Sequence, residues 1–300
     1  MGAGSMASAN VGCAASLRRR MRVVLLAALG CLCSCHKATE RQASVALPPG
    51  TILDDRTFHS DALDADATYR VIRPAVLPVG QPAHVLYLLH GYGNGYQDWS
   101  TQTPIAQLAA RGYVLVMPEG HFSYYINSAT KVHDRYEDFL THDLIADAER
   151  GLQVPARSDR TIVGISMGGY AAIVLALKHP DLYGFAGALS PAIDVTQRPF
   201  ELRRISQSLR LRRIFGPAGS ATRSANDPFL LAKAADPGVT PFLFLSVGNQ
   251  ESLREPVERF DALLRDEHIR HEFRLGDGGH DWQQWNRSLP ALLESLEAKH

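Results

Sequence analysis

The stretch Arg160-Thr161-Ile162-Val163-Gly164-Ile165-Ser166-Met167-Gly168-Gly169 decides the fold. Its first half is a short apolar run and reads as a buried strand. Its second half opens a segment of helical period, in which Ala171, Val174, Leu175 and Leu177 share a face. Between them lies Gly-x-Ser-x-Gly. The pentapeptide is a weak signal as a bare string, but at a strand-to-helix junction it has a mechanical meaning. Glycines on both sides of the serine permit a turn too tight for side chains, and the hydroxyl then stands clear above a sheet. A plain turn with a capping serine is the competing structural reading.

Outward from this junction the same alternation repeats. Apolar runs at His84–Leu89, Tyr113–Met117, Tyr183–Leu189 and Phe242–Val247 are separated by helical patterns. One is marked by Tyr136, Phe139, Leu140, Leu144 and Ala148, another by Leu253, Val257, Phe260 and Leu264. Short, wholly apolar strands alternating with helices predict an α/β fold, a mostly parallel sheet flanked by helices on both faces. Residues from Thr57 to Pro74 read as antiparallel strands added at one edge. Residues 191–240, Arg-rich with Pro/Gly turns, interrupt the alternation and read as a small cap or lid insertion in a domain spanning 51–300. No internal repeat appears after residue 50.

Composition narrows the class. With 300 residues, 45% hydrophobic and 21% charged, the chain is not disordered, collagen-like or a polytopic membrane protein. A formal net charge of zero offers no basic stripe for nucleic acid. All four cysteines (Cys13, Cys31, Cys33 and Cys35) lie in the first 35 residues. The rest of the chain therefore has no disulfide framework, thiolate zinc site or cysteine nucleophile.

The first 35 residues read as an address. Arg18, Arg19, Arg20 and Arg22 are their only charges; without them 27 basic residues face 31 acidic ones, a net of −4. Basic residues before the apolar run Val23–Gly30 form the n- and h-regions of an export signal, and the run is shorter than the ~20 residues of a spanning helix. Leu32-Cys33-Ser34-Cys35 resembles the lipobox of bacterial lipoproteins, which implies a lipoprotein-type signal peptide over 1–35 and lipidation of Cys35, with Cys31 as the second choice. The long stretch before the arginines leaves Met6 and Met21 as alternative starts. Residues 36–50 then form a tether, and the expected location is a bacterial membrane, facing the periplasm or cell exterior.

A serine hydroxyl needs a base within hydrogen-bond reach. Where the nucleophile sits on a strand-to-helix elbow, the chain order is serine, acid, histidine. His280 follows the apparent last strand, Arg270–Leu275, on the glycine loop Gly276-Asp277-Gly278-Gly279 and is assigned as the base. His271 falls within that strand, and His268 and His300 read as surface residues. For the acid, Glu251 lies just past Phe242–Val247, between serine and histidine, with Asp194 as its rival and an N-terminal helix role as the bland reading. Asp277 and Asp281 are too near His280 in sequence to reach back easily. Two backbone N–H groups should face the oxyanion. Met167 supplies one; Tyr92, in the loop His90-Gly91-Tyr92-Gly93, supplies the other. That loop is not a dinucleotide fingerprint, because Tyr96 stands where its last glycine is required.

Over about residues 55–298 the chain resembles the α/β-hydrolase esterase family grouped around esterase D, the feruloyl esterases and the secreted mycolyltransferases. The resemblance rests on Ser60-Asp61-Ala62-Leu63, His90–Gly93 with Trp99, Tyr136-Glu137-Asp138-Phe139-Leu140, Gly164–Gly169, Gly248–Glu251, and Gly279-His280-Asp281-Trp282 with Trp285. It implies an α/β-hydrolase fold, a nucleophile at Ser166, an acid at Glu251, a base at His280, and oxyanion donors at Tyr92 and Met167. The family usually has Asp where this chain has Glu251. The leading expectation is a serine esterase forming an acyl-enzyme on Ser166, without a cofactor, acting on a small-molecule or polysaccharide-linked ester and held to a membrane by its lipid. Acyl transfer to a sugar or lipid hydroxyl is the alternative within the same chemistry; a non-catalytic binding protein on a hydrolase scaffold is the alternative outside it. A metal-dependent hydrolase is disfavoured, since there is no H-E-x-x-H and His121, His133 and His142 lack ligand spacing. Tyr124, Tyr125 and Trp282 are candidates for an aromatic pocket, weighed against a core role.

Overall fold

The computed structural model describes residues 1–2, 45–77, 80, 82–153 and 156–299. Cys31, Cys35, the expected signal segment beyond its first two residues and tether residues 36–44 lie outside the described residues. Among those described, eight strands form one sheet: β1 (Thr51–Ser60), β2 (Ala65–Pro74), β3 (His84–Leu89), β4 (Tyr113–Pro118), β5 (Arg160–Ile165), β6 (Phe185–Leu189), β7 (Phe242–Gly248) and β8 (His271–Gly276). Their order is β1-β2-β4-β3-β5-β6-β7-β8. β3 to β8 run parallel, and the β1–β2 hairpin joins antiparallel at the β4 edge. This is the α/β-hydrolase fold.

Period-two alternation assigns each strand residue to a face. On β3, Val85, Tyr87 and Leu89 enter one core layer, whereas Leu86 and Leu88 enter the other. The first layer is covered by α1 (Met167–Lys178), of which Met167 to Leu177 are all buried, and by Val257, Phe260 and Leu264. The second layer holds Ile105, Leu108, Trp285, Leu289, Leu292 and Leu296. Burial on both faces is why these strands are continuous apolar runs rather than alternating ones.

Three elements differ from their sequence reading. The edge hairpin starts at Thr51, not Thr57. Polar Asp54, Asp55 and Arg56 hide the strand, because β1 is an edge strand with one solvated face. The run from Tyr183 becomes a strand only at Phe185. At Gly184, which hydrogen-bonds back to Arg160, the backbone approaches Ser158 so closely that a Cβ would sit 2.9 Å from its Cα. The helical pattern at 136–148 forms, but its middle, Phe139–Asp143, is wound as a π turn. Residues 191–240, between β6 and β7, hold no strand; they fold as short helices, the longest being α2 (Ile205–Phe215).

Candidate active site

The parallel strands β3, β5, β6, β7 and β8 all end at one edge of the sheet, and the sequence-assigned groups converge there, as ligands do in open α/β folds. Ser166 occupies the junction between β5 and α1 with φ 52° and ψ −109°, a backbone conformation non-glycine residues rarely hold. The flanking glycines are obligatory for contact reasons. A Cβ on Gly164 would lie 2.1 Å from the Gly168 carbonyl carbon, and one on Gly168 would lie 2.3 Å from the Leu89 oxygen. No side chain fits at either position.

The hydroxyl so presented lies 2.9 Å from Nε2 of His280. Nδ1 of the same ring lies 2.6 Å from Oε2 of Glu251. A carboxylate only accepts, so Nδ1 carries the proton and Nε2 is left with a lone pair aimed at Ser166. The imidazole meets Trp285 edge-on, with centroids 5.2 Å apart, which fixes its plane. Glu251 has a fully buried side chain. Its Oε1 accepts from the Gly248 N–H at 2.7 Å and from Ser190 Oγ at 2.6 Å, so both oxygens are satisfied. The longer arm relative to Asp is taken up by this anchoring in the turn after β7.

The rivals are occupied elsewhere. Asp194 borders the same cleft but is held by Arg198, with Nη2 at 2.7 Å from Oδ1. Asp277 accepts from Asn249, and Asp281 caps the N-terminus of α3 (Trp282–Glu297) through the Gln284 N–H. His271 lies on β8 with Nε2 3.0 Å from Asp261, His268 follows the helix after β7, and His300 is outside the described residues.

The loop after β3 runs directly against Ser166. A Cβ on Gly91 would come within 3.3 Å of the Ser166 Cβ. Its position is fixed by His90, whose Nδ1 donates to the Gly91 carbonyl at 2.9 Å and whose Nε2 lies 3.1 Å from Glu119. Burial alone would raise the Glu119 carboxyl, but the His90 hydrogen bond, with the His121 N–H, outweighs it and holds Glu119 at about 2. Tyr92 follows Gly91 in this loop and borders the cleft. Met167 opens α1, where a helix offers N–H groups with no intrahelical partner.

The cleft over these residues has a volume of about 880 Å³. Of the three aromatic candidates only Tyr124 borders it; burial pushes its phenol up to about 12, so it remains a neutral hydroxyl. Tyr125 is fully buried and donates to the His90 carbonyl, and Trp282 packs edge-on against Trp99 and Trp285. Sequence reasoning missed Ser190, which links Glu251 to the Trp285 indole N–H at 3.0 Å, and Arg210, whose Nη1 donates to the Tyr92 hydroxyl at 2.8 Å. No local signal marks either: both act across more than sixty residues. Among the described residues no group of three or more His, Cys, Asp or Glu side chains could hold a metal, and no helix is long and apolar enough to cross a membrane.

Comparisons with known proteins agree with this architecture. An acetyl esterase of Caldicellulosiruptor saccharolyticus is 28% identical over 257 residues, covering 79% of this chain and 95% of the relative. A diacylglycerol acyltransferase/mycolyltransferase, Ag85B, of Mycobacterium avium is 26% identical over 73% of this chain and 75% of its own length. The solved S-formylglutathione hydrolase of Agrobacterium tumefaciens superposes with a TM-score of 0.71 at 18% identity, over 85% of this chain and 98% of that one. The sequence profile of the family described as "Putative esterase" matches residues 60–296, most of the chain. The protein belongs to that family and is an esterase.

Proposed function

We propose that the chain is a serine carboxylic-ester hydrolase in which Ser166, His280 and Glu251 work as a catalytic triad. The observation that carries this reading is the unbroken line of contacts Ser166 Oγ–His280 Nε2–His280 Nδ1–Glu251, at 2.9 and 2.6 Å, at the floor of an open cleft. Ser166 Oγ attacks the ester carbonyl carbon as its proton passes to His280 Nε2. The Met167 and Tyr92 N–H groups receive the negative oxygen, and Glu251 offsets the charge on the imidazolium. The intermediate collapses by breaking the ester C–O bond, the alcohol leaves with the proton from His280, and the acyl group stays on Ser166. Water then attacks, gives its proton to His280 and releases the acid, while the serine oxygen regains a proton.

A fluorophosphonate probe should label the protein at Ser166, with release of fluoride. Ser166→Ala should lose both labelling and p-nitrophenyl acetate hydrolysis, the latter by about 10³–10⁶ in kcat. A purified, folded Ser166→Ala protein with a tenth of wild-type activity ends the assignment. Acetyl esters are the first substrates to try, given the acetyl esterase relative. The acyltransferase relative supports a second reading, in which a sugar or lipid hydroxyl replaces water. Partition of the acyl group between water and added alcohols separates the two.

The basic n-region, the short apolar run and the lipobox-like end support export and lipidation at Cys35, or Cys31, with the enzyme held at a bacterial membrane. Metabolic labelling with a fatty-acid analogue tests this: Cys35→Ala should abolish the tag. An untagged wild-type protein in the cytosol overturns it.

A further inference from the structure

Residues 198–213 carry six arginines against one acid, Glu201. They also carry the most exposed apolar row of the insertion: Leu202 is 78% exposed, Ile205 50% and Leu209 52%. At three and four residues apart these side chains line up along one stripe of α2 and the turn leading into it. The opposite side of α2 is consumed by packing, with Ser208, Leu211, Ile214 and Phe215 buried. Arg212 flanks the stripe on one side and Arg213 on the other; Arg203 and Arg212 have no ion-pair partner among the described residues. A third flank of the same helix, Ser206, Gln207 and Arg210, lines the cleft above Ser166.

We propose that this stripe is a docking surface for an anionic lipid bilayer. The charge pattern selects the occupant: leucine and isoleucine side chains reach the acyl boundary while flanking guanidinium groups meet lipid phosphates. A second copy of this chain would meet the same arginines, and three side chains fall far short of the ~800 Å² per partner that a stable dimer buries. Docking places one flank of α2 on the membrane and the adjacent flank at the mouth of the cleft. The substrate class that follows, which rests on the Ser166 reading, is an ester presented by the lipid surface rather than one arriving from bulk water.

The four cysteines all lie in the first 35 residues, so replacing them by serine leaves a thiol-free full-length chain without an acylation site. Leu209→Cys in that background is labelled with a polarity-sensitive fluorophore, with Glu258→Cys on another helix as the control. Vesicles of phosphatidylglycerol and phosphatidylcholine should blue-shift the label at 209 and leave the one at 258 in water. Pure phosphatidylcholine should shift it at higher lipid only, and Arg203→Glu with Arg212→Glu should weaken binding by about fivefold or more per arginine. A label that stays in water with anionic vesicles overturns the proposal. So does one already buried without lipid: concentration dependence then assigns the stripe to a second copy, and its absence to another part of this chain. Leu202→Ser with Leu209→Ser should slow hydrolysis of a vesicle-borne ester about tenfold or more while sparing a soluble one. Equal rates on the vesicle ester also count against docking. A chain inactive on both esters removes the Ser166 reading and leaves the label to decide the docking.

Discussion

Replacing Glu251 tests the site most sharply, because Gln and Asp should fail by different routes. In Glu251→Gln the oxygen remains where Gly248 N–H and Ser190 Oγ donate to it, at 2.7 and 2.6 Å. The amide NH₂ then faces Nδ1 of His280, where Oε2 stood at 2.6 Å. Two donors cannot share that contact, so the ring shifts its proton to Nε2 and presents an N–H to Ser166. A base with the wrong tautomer costs about 10⁴ in kcat, the magnitude known for the same change in serine proteases. In Glu251→Asp the charge survives but the arm loses a methylene. If the carboxylate keeps its anchor, its other oxygen withdraws by about 1.5 Å, to roughly 4 Å from Nδ1, beyond hydrogen-bond range. The loop cannot follow, because Gly248 is wedged against the Gly278 carbonyl, where a Cβ would meet oxygen at 2.3 Å. Losing one charge-assisted hydrogen bond is worth about 1.5–3 kcal/mol, or about 10- to 150-fold. Steady-state kcat on p-nitrophenyl acetate, with circular dichroism to establish folding, reads both. The reasoning is refuted if folded Glu251→Gln stays within tenfold of wild type, or if Asp194→Asn is the crippled variant.

Ser190→Ala removes one of three donors to Glu251 and strands the Trp285 indole N–H; kcat should fall about tenfold and stability by about 1–3 kcal/mol in urea titration, and an unchanged kcat would strip Ser190 of its positioning role. Gly168→Ala drives a Cβ into the Leu89 carbonyl, so stability should fall by about 3 kcal/mol and Tm by roughly 6–12 °C; a shift under 2 °C by calorimetry, on the scale of ~2–4 °C per kcal/mol, would refute the contact argument. Glu119, held at about 2 against an ordinary 4.5, contributes stability that is complete above about pH 4.5 and lost as pH falls toward 2. Glu119→Gln should therefore lower the urea midpoint at pH 6 and converge with wild type by about pH 2; a gap that stays constant with pH would contradict the His90–Glu119 account.

Sequence alone determined the element types and the candidate groups of the site, with the acid left between Glu251 and Asp194. Periodicity is a local property, so runs such as His84–Leu89 announce strands buried on two faces wherever they sit in the chain. The elbow was legible because its steric demands fall on residues within two positions of Ser166: Gly164 and Gly168 are glycine whatever the substrate. His280 and Glu251 were reachable from chain order and from their places just past strand ends. The edge strand β1 was only half legible, since a solvated face dilutes the apolar signal.

Only the tertiary structure decided which carboxylate meets the imidazole. Asp194 and Glu251 both follow parallel strands at the same edge, and both border the cleft. The choice was made by Arg198, four residues after Asp194, and by Ser190, sixty-one residues before Glu251. Ser190 itself is invisible in the chain because its three contacts, to Ser246, Glu251 and Trp285, come from the strand, turn and helix that follow. They meet only because β6, β7 and β8 lie side by side. A hydrogen bond between loops is fixed by strand order and by the length of each strand to within an ångström, and neither quantity is written in the local pattern of apolar and polar residues.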